Sequence, residues 1–495
     1  MDDSLRNSGP APSVIIVGGG LAGMSAAIAL VRQGVSVTLL ESRHRLGGRV
    51  GSYVDPVSGE LIDYCQHVGM ACCTNLRQLI DWLDQRELWE IQKELHFYGP
   101  DGRHQPLAAL PVLPAPLHLA SWLWKWPGLT LRDRLSVALG LRSLDRVVIA
   151  DEAHETSAIQ WLLELKQTRL AVERFWKTVV VSALGEELEQ VSLGAVAKVF
   201  QDGFLRHRDA FHLLVPLRPL TELFGLLAVE RLRAAGVNVQ LGCTVRSLVR
   251  GGRDCLGVEL GDGSQWRADH TIVAVPWHRF GPLVERNDDS REPDSWMETA
   301  LRASQLASSP ISGVHTWWDR PWLETPHAVL VGRLCQWVFP RIQQSQTSGE
   351  DSSAQGDTEH YYQIVISASR SLSTIKSTAR HAANDVDSQS SVDASWSLEQ
   401  LIHADLAQVF PGVASAKLLR LKAVTDPHAV FSANTRAHRL RPKADALGDT
   451  LSLAGDWTAT SWPATMESAV LSGFLAAEQI LKRYNITICL RAPPL

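Results

Sequence analysis

Val14-Ile15-Ile16-Val17 runs without a break into Gly18-Gly19-Gly20-Leu21-Ala22-Gly23. A short β-branched run of this kind belongs inside a parallel sheet, and the glycines that follow it leave few options besides a tight turn into a helix. Met24-Ser25-Ala26-Ala27-Ile28-Ala29-Leu30 has the helical pattern, which ends near Gly34. Val35-Ser36-Val37-Thr38-Leu39-Leu40 then reads as a second strand, closed by Glu41 eighteen residues after Gly23. Together these make a complete βαβ unit. Gly18 permits the turn, Gly20 lets the backbone approach a pyrophosphate, and Gly23 lets helix and strand pack closely. The helix start at Leu21 and Ala22 offers free N–H groups to phosphate oxygens. Glu41, with Ser42 beside it, is placed to accept from ribose hydroxyls, which favours a dinucleotide whose adenosine lacks a 2′-phosphate.

Length and composition limit what surrounds this unit. A chain of 495 residues suggests about three domain-sized units or two larger lobes with insertions. Apolar residues at 45% and charged residues at 20% exclude wholesale disorder and rod-like folds. Lys+Arg 48 against Asp+Glu 53 gives a net charge of −5 with no basic block, which argues against a nucleic-acid partner. The odd count of seven scattered cysteines reads as reduced thiols in a cytoplasmic protein, and the polar, acidic N-terminus does not read as an export signal. No apolar run is long enough for a membrane-spanning helix. Residues 107–131 form the most lipophilic stretch, interrupted by Pro111, Pro114, Pro116 and Pro127. Such a Trp-bearing segment suits a peripheral contact with a membrane face, a lid over an apolar pocket, or plain core.

After Glu41-Ser42 comes Arg43-His44-Arg45-Leu46-Gly47-Gly48-Arg49, which resembles the flavin-containing amine oxidase and carotenoid desaturase superfamily. The resemblance implies an α/β fold: a Rossmann-like FAD-binding domain of the amine oxidase type with an inserted α+β substrate domain. It implies that FAD is held by Gly47, Gly48 and Arg49 as well as by the first glycine turn. It also assigns the backbone at Val245 to adenine, Gly455 and Asp456 to the ribityl-pyrophosphate side, and the Thr465–Met466 backbone to the flavin ring. On this reading residues 12–80, 211–284 and 446–484 build a discontinuous FAD domain. Residues 81–210 and 285–445 build the substrate lobe, with 343–359 and 371–397 as polar loops or disorder.

Within the superfamily, Gln66-His67, Gly455-Asp456-Trp457-Thr458-Ala459-Thr460 and Trp462-Pro463-Ala464-Thr465-Met466-Glu467, with Phe204-Leu205-Arg206-His207-Arg208, resemble the squalene-associated branch, the hydroxysqualene dehydroxylases of hopanoid biosynthesis. Cys65, Ser461 and Ser468 stand where that branch commonly has glycine. The implied substrate is an isoprenoid lipid, hydroxysqualene, which loses its allylic hydroxyl and gains hydride to give squalene. Departure of the hydroxyl needs a proton donor: His67 is the first candidate, with Tyr64 and His207 in reserve. Two tryptophan clusters, Trp122/Trp124/Trp126 and Trp317/Trp318/Trp322, suit either an aromatic pocket for a cation or ordinary core. A carotenoid-type desaturase, an amine oxidase and a non-enzymatic prenyl-lipid carrier share the fold and are the competing readings.

Overall fold

The strand–turn–helix–strand reading holds residue by residue: β1 spans Ser13–Val17, α1 Leu21–Val31 and β2 Ser36–Glu41. The structure is a computed structural model that describes residues 12–110, 112–285, 295–341, 359–370, 372 and 397–495. β1 pairs with β2 in parallel, Val14 opposite Val37. Asn238–Leu241 extends the sheet beyond β2, and His270–Val273 and Leu451–Leu453 extend it on the other side of β1, all in parallel. The resulting order, 238–241, β2, β1, 270–273, 451–453, reverses direction at β1. In doubly wound sheets the crevice at that switch point, outside the carboxyl ends of the strands, is where ligands bind.

α1 is apolar on nearly every face and must be covered on every face. The sheet covers one side. The C-terminal helix Met466–Arg483 covers the other so closely that a Cβ on Gly473 would lie 2.1 Å from Ser25 Oγ and 2.2 Å from Ala22 O. Ser25 Oγ bonds to Val470 O at 3.0 Å across this contact. Met24, Ile28 and Leu30 are fully buried there, each worth about 1.5–3 kcal/mol.

A seven-stranded sheet forms the second layer system, with the long pair Leu418–Phe431 and Ser308–Trp318 at one edge and Leu95–Tyr98 and His104–Leu107 at the other. Five of the six tryptophans singled out in the sequence pack core. Trp122 and Trp126 interlock with Phe97 and Phe175, Trp318 and Trp322 pack near Phe410 and Tyr362, and Trp317 is covered by the Arg420 guanidinium at 3.5 Å. Only Trp124 faces outward. Of the two polar stretches expected to be loops or disorder, 343–358 and 373–396 lie outside the described residues. Ser397, at the end of the second, starts the helix Leu398–Ala407 in a capping box with Gln400. Among the described residues no helix is long and apolar enough to cross a membrane.

Candidate functional site

The glycines of the first turn have opposite steric surroundings. Gly18 adopts φ +110°, and a Cβ there would lie 2.6 Å from Ala274 O. A Cβ on Gly23 would lie 1.9 Å from Gly18 O, so helix and strand touch through backbone alone. Gly20 has φ −75° and no atom within 4 Å of its would-be Cβ. The chain itself leaves that space open. α1 begins at this opening with no side-chain cap and no acid in its first turn, leaving the N–H groups of Leu21 and Ala22 without intrahelical partners. Gly48 closes the far wall, since its would-be Cβ lies 3.2 Å from Gly20 Cα, and Gly47 N donates to Gly19 O at 2.9 Å.

Buried Glu41 ties this turn to the next loop. Oε2 accepts from Gly19 N at 2.8 Å, and Oε1 accepts from Arg43 N at 2.8 Å and from Ser42 Oγ at 3.2 Å. Glu41 O accepts from Cys243 N at 2.9 Å, which brings Val245, at the head of strand Val245–Gly251, to the same end of the sheet.

Arg49 reaches the C-terminal segment across the crevice. Its Nη2 donates to Asp456 Oδ1 at 2.5 Å and its Nη1 to Ala429 O at 2.8 Å. Burial pulls the Arg49 pKa down, but Asp456 more than offsets this and leaves it above its ordinary value. Asp456 O accepts from Arg441 Nη2 at 3.1 Å and from Ser468 Oγ at 3.1 Å, and Gly455 N donates to Ser472 Oγ at 2.7 Å. Arg441 itself is pushed down to about 10 by burial. Ser468 therefore uses the hydroxyl that a glycine would lack, pairing also with Thr460 Oγ1 at 2.6 Å, and Ser461 is simply exposed. Thr465 caps the helix that starts at Met466, its side chain accepting from Ser468 N. The Arg49–Asp456 pair makes a direct prediction. In urea unfolding of Arg49→Gln, Asp456→Asn and the double variant, the coupling energy should be about 1–3 kcal/mol, and additive effects would show that the pair carries no weight.

Three histidines gather round Arg49. His67 Nδ1 lies 2.8 Å from Cys65 O, and because a carbonyl only accepts, Nδ1 carries the hydrogen and Nε2 is the free nitrogen. Its pKa is lowered by burial and further by the Arg49 charge. His278 and His428 stack with ring centroids 4.5 Å apart. His428 bonds Ser308 Oγ through Nδ1 at 2.8 Å, and its N–H donates to Asp426 Oδ1 at 2.8 Å. Burial, then His428, then Arg279 and Arg49 lower the His278 pKa. Trp277 closes the group, its ring 5.9 Å from the Arg49 guanidinium carbon. Sequence reasoning passed over His278 and His428. The available signal was position, since Trp277-His278 follows the strand His270–Val273, which ends at the same sheet edge as β1. Nothing local marks His428.

The two reserve donors stand in other contacts, Tyr64 beside the Gly47–Gly48 loop and His207 away from it. Tyr64 stacks its ring on Tyr53 at 5.7 Å under the Arg45 guanidinium. His207 faces a separate cavity of about 550 Å³ lined by Arg77, Lys93, Arg208 and His212, with its Nδ1 accepting from Asp209 N at 3.2 Å. That cavity is bounded by residues following the Gly69–Met70 strand and does not include Arg49 or His67.

The sequence profile of the family described as flavin containing amine oxidoreductase matches residues 21–481. The chain belongs to that family. It is 26% identical to a 15-cis-phytoene desaturase from an Oncidium hybrid cultivar, over 98% of this chain and 80% of the relative. It is 24% identical to the hydroxysqualene dehydroxylase of Zymomonas mobilis, over 94% of this chain and 98% of the relative. Among solved structures, an oxidoreductase from Methanosarcina mazei superposes with a TM-score of 0.66 at 14% identity, covering 93% of this chain and 98% of that one. The fold is thus the Rossmann-like α/β FAD-binding fold of these flavin oxidoreductases, and FAD is the cofactor. The crevice suits it: the space over Gly20 is one that a single Cβ would invade, and an uncapped, acid-free helix N-terminus points into it.

Proposed function

We propose that this flavin oxidoreductase removes the hydroxyl of hydroxysqualene to yield squalene, as a step of hopanoid biosynthesis. The observation that carries this reading is His67 beside Arg49, a histidine with a free Nε2 at the flavin crevice, in a chain that aligns end to end with a hydroxysqualene dehydroxylase.

In this proposal Gly18, Gly20, Leu21, Ala22 and Gly23 hold the pyrophosphate, Glu41 and Ser42 the ribose, and the Val245 backbone the adenine. Gly47, Gly48 and Arg49 line the phosphates, Gly455 and Asp456 the ribityl chain, and Thr465 and Met466 the ring. FAD bound there in its reduced form would supply hydride. The chain's own task is the leaving group: protonated His67 gives its Nε2 proton to the hydroxyl, which departs as water while its Nδ1–H stays on Cys65 O. Arg49 makes the imidazolium a stronger acid by destabilising its charge. The residues of 81–210 and 285–445 are proposed to enclose the lipid and keep water from the developing allylic cation.

His67→Gln should lower kcat by about 10²–10⁴-fold with little change in KM. Wild-type kcat/KM should fall as pH rises through a value below 6.5, the direction set by the lowered His67 pKa. A His67→Gln variant with wild-type turnover would remove His67 from this role. Carotenoid-type desaturation is the second reading, favoured by the 26% identity to a phytoene desaturase along 98% of this chain. Desaturation expels no hydroxyl and needs no acid. Anaerobic incubation of the reduced protein with hydroxysqualene, beside the oxidised protein with phytoene, separates the two by product.

A further inference from the structure

We propose that the helix Leu131–Asp145 docks this protein in the plane of an anionic lipid surface. Its inner face is fixed by packing: Val137, Gly140 and Leu144 are buried, and Gly140 sits so close to Trp176 that a Cβ would lie 2.7 Å from the indole. Its start is fixed by the reciprocal capping box of Thr130 and Asp133. The outer face is therefore not waiting for a core partner within the chain, and yet it carries Leu131, Leu135 and Leu139 at 54%, 54% and 68% exposure.

Their spacing of four residues sets the three leucines on one side of the helix, where exposed Arg132, Arg142 and Arg146 also lie. Asp145 is the one exposed acid on the helix, because Asp133 is consumed by the cap. Apolar side chains over the first turns, with arginines around and beyond them, fit an interfacial helix whose leucines enter the acyl boundary while guanidinium groups reach anionic headgroups. Trp124 and Leu117, exposed in the segment leading into the helix, add apolar surface of the kind that sits at a headgroup boundary. The residues 163–167 extend the patch: Leu163 is exposed, and Gln167 Nε2 donates to Ser136 O at 2.6 Å, holding that stretch alongside the helix. A second copy of the chain fits poorly, since three arginines against one acid make a self-paired face like-charged. The inference does not depend on which reaction the flavin site runs.

The test is flotation of the full-length holoprotein with vesicles of phosphatidylcholine alone and of phosphatidylcholine with phosphatidylglycerol, at low and high salt. The wild type should float with the anionic vesicles, less so at high salt. The L131S/L135S/L139S variant should lose at least about 30-fold in partitioning while keeping its flavin absorbance and melting temperature. The R132Q/R142Q/R146Q variant should lose the preference for anionic vesicles. V54S/V57S, which removes exposed apolar side chains elsewhere, should bind as the wild type does. A wild type that ignores both vesicles, or a triple-serine variant that floats undiminished, overturns the proposal. So does a wild-type dimer that the triple-serine variant converts to a monomer without any vesicle binding.

Discussion

Gly20→Val should give a folded protein that purifies without FAD. The backbone at Gly20 sits at an ordinary φ of −75°, and no protein atom lies within 4 Å of the added Cβ, so the chain itself has no reason to resist the side chain. Replacing glycine at a helix N-cap by another apolar residue costs on the order of a few tenths of a kcal/mol up to about 1. The valine methyl groups instead fill the space in front of the α1 N-terminus, where the proposed site has the pyrophosphate bonding to the N–H groups of Leu21 and Ala22. Gly23→Val, three residues on, should behave in the opposite way. Its Cβ would lie 1.9 Å from Gly18 O, backbone against backbone, and the helix cannot retreat because Gly473 holds it from the other side. A destabilisation of roughly 3 kcal/mol or more is expected, at or beyond the upper end of ordinary overpacking. Circular dichroism melts and flavin absorbance of the two purified variants distinguish these effects. A Gly20→Val protein as yellow as the wild type would mean that the crevice over Gly20 does not hold the dinucleotide.

The second large effect is loss of stability in mild acid. His315 and His327 are completely buried, and burial lowers their pKa values to about 4 and about 3, with Lys422 adding to the effect on His315 and His96 to that on His327. In the unfolded chain both return to about 6.5. The folded state therefore binds fewer protons than the unfolded state between these values. The stability this represents is intact above pH 6.5 and drains away as pH falls, through about 4 for His315 and about 3 for His327. At about 1.4 kcal/mol per unit, each accounts for roughly 3 kcal/mol by pH 4. Asp63 works the other way: burial raises it to about 6, so its protonation on acidification returns roughly 3 kcal/mol. These three groups alone lose about 3 kcal/mol between pH 6.5 and 4, a large share of the 5–15 typical of a domain, and His154, also lowered to about 4 by burial, acts in the same direction. Melting temperature should fall clearly across that range, and His327→Asn, less stable at pH 7, should show a shallower slope. A flat or rising melting temperature from pH 6.5 to 4 contradicts this account.

How much could be read in advance follows from how far apart the causes lie. The βαβ unit was legible because its constraints act within thirty residues: Gly23 meets Gly18, and Glu41 meets Gly19. The pairing of Arg49 with Asp456 spans 407 positions, and only the family resemblance brought those two segments to one crevice in advance. Where neither sterics nor resemblance reached, placement was not legible. His207 sits on a short turn whose residues Ala210 and His212 bond back to Cys72 and Ala71, on the side facing the separate cavity, and nothing in its neighbours' identities specifies that side. His428 reaches the Arg49 group because it lies near the end of a fourteen-residue strand whose register is set by its pairing with Ser308–Trp318. The tryptophans were mostly core because large rings fill volume wherever helices cross sheets, whatever chemistry they could support.

α1 is synthesised more than 400 residues ahead of Met466–Arg483, the helix that covers it. A nascent chain must therefore carry one face of an almost wholly apolar helix uncovered while those residues are made, together with β1, whose neighbour His270–Val273 follows it by more than 200 residues. Abundance in the cell should thus depend on chaperone capacity, and a truncation that removes Met466–Arg483 while sparing every glycine of the first turn would still leave α1 with one apolar face bare.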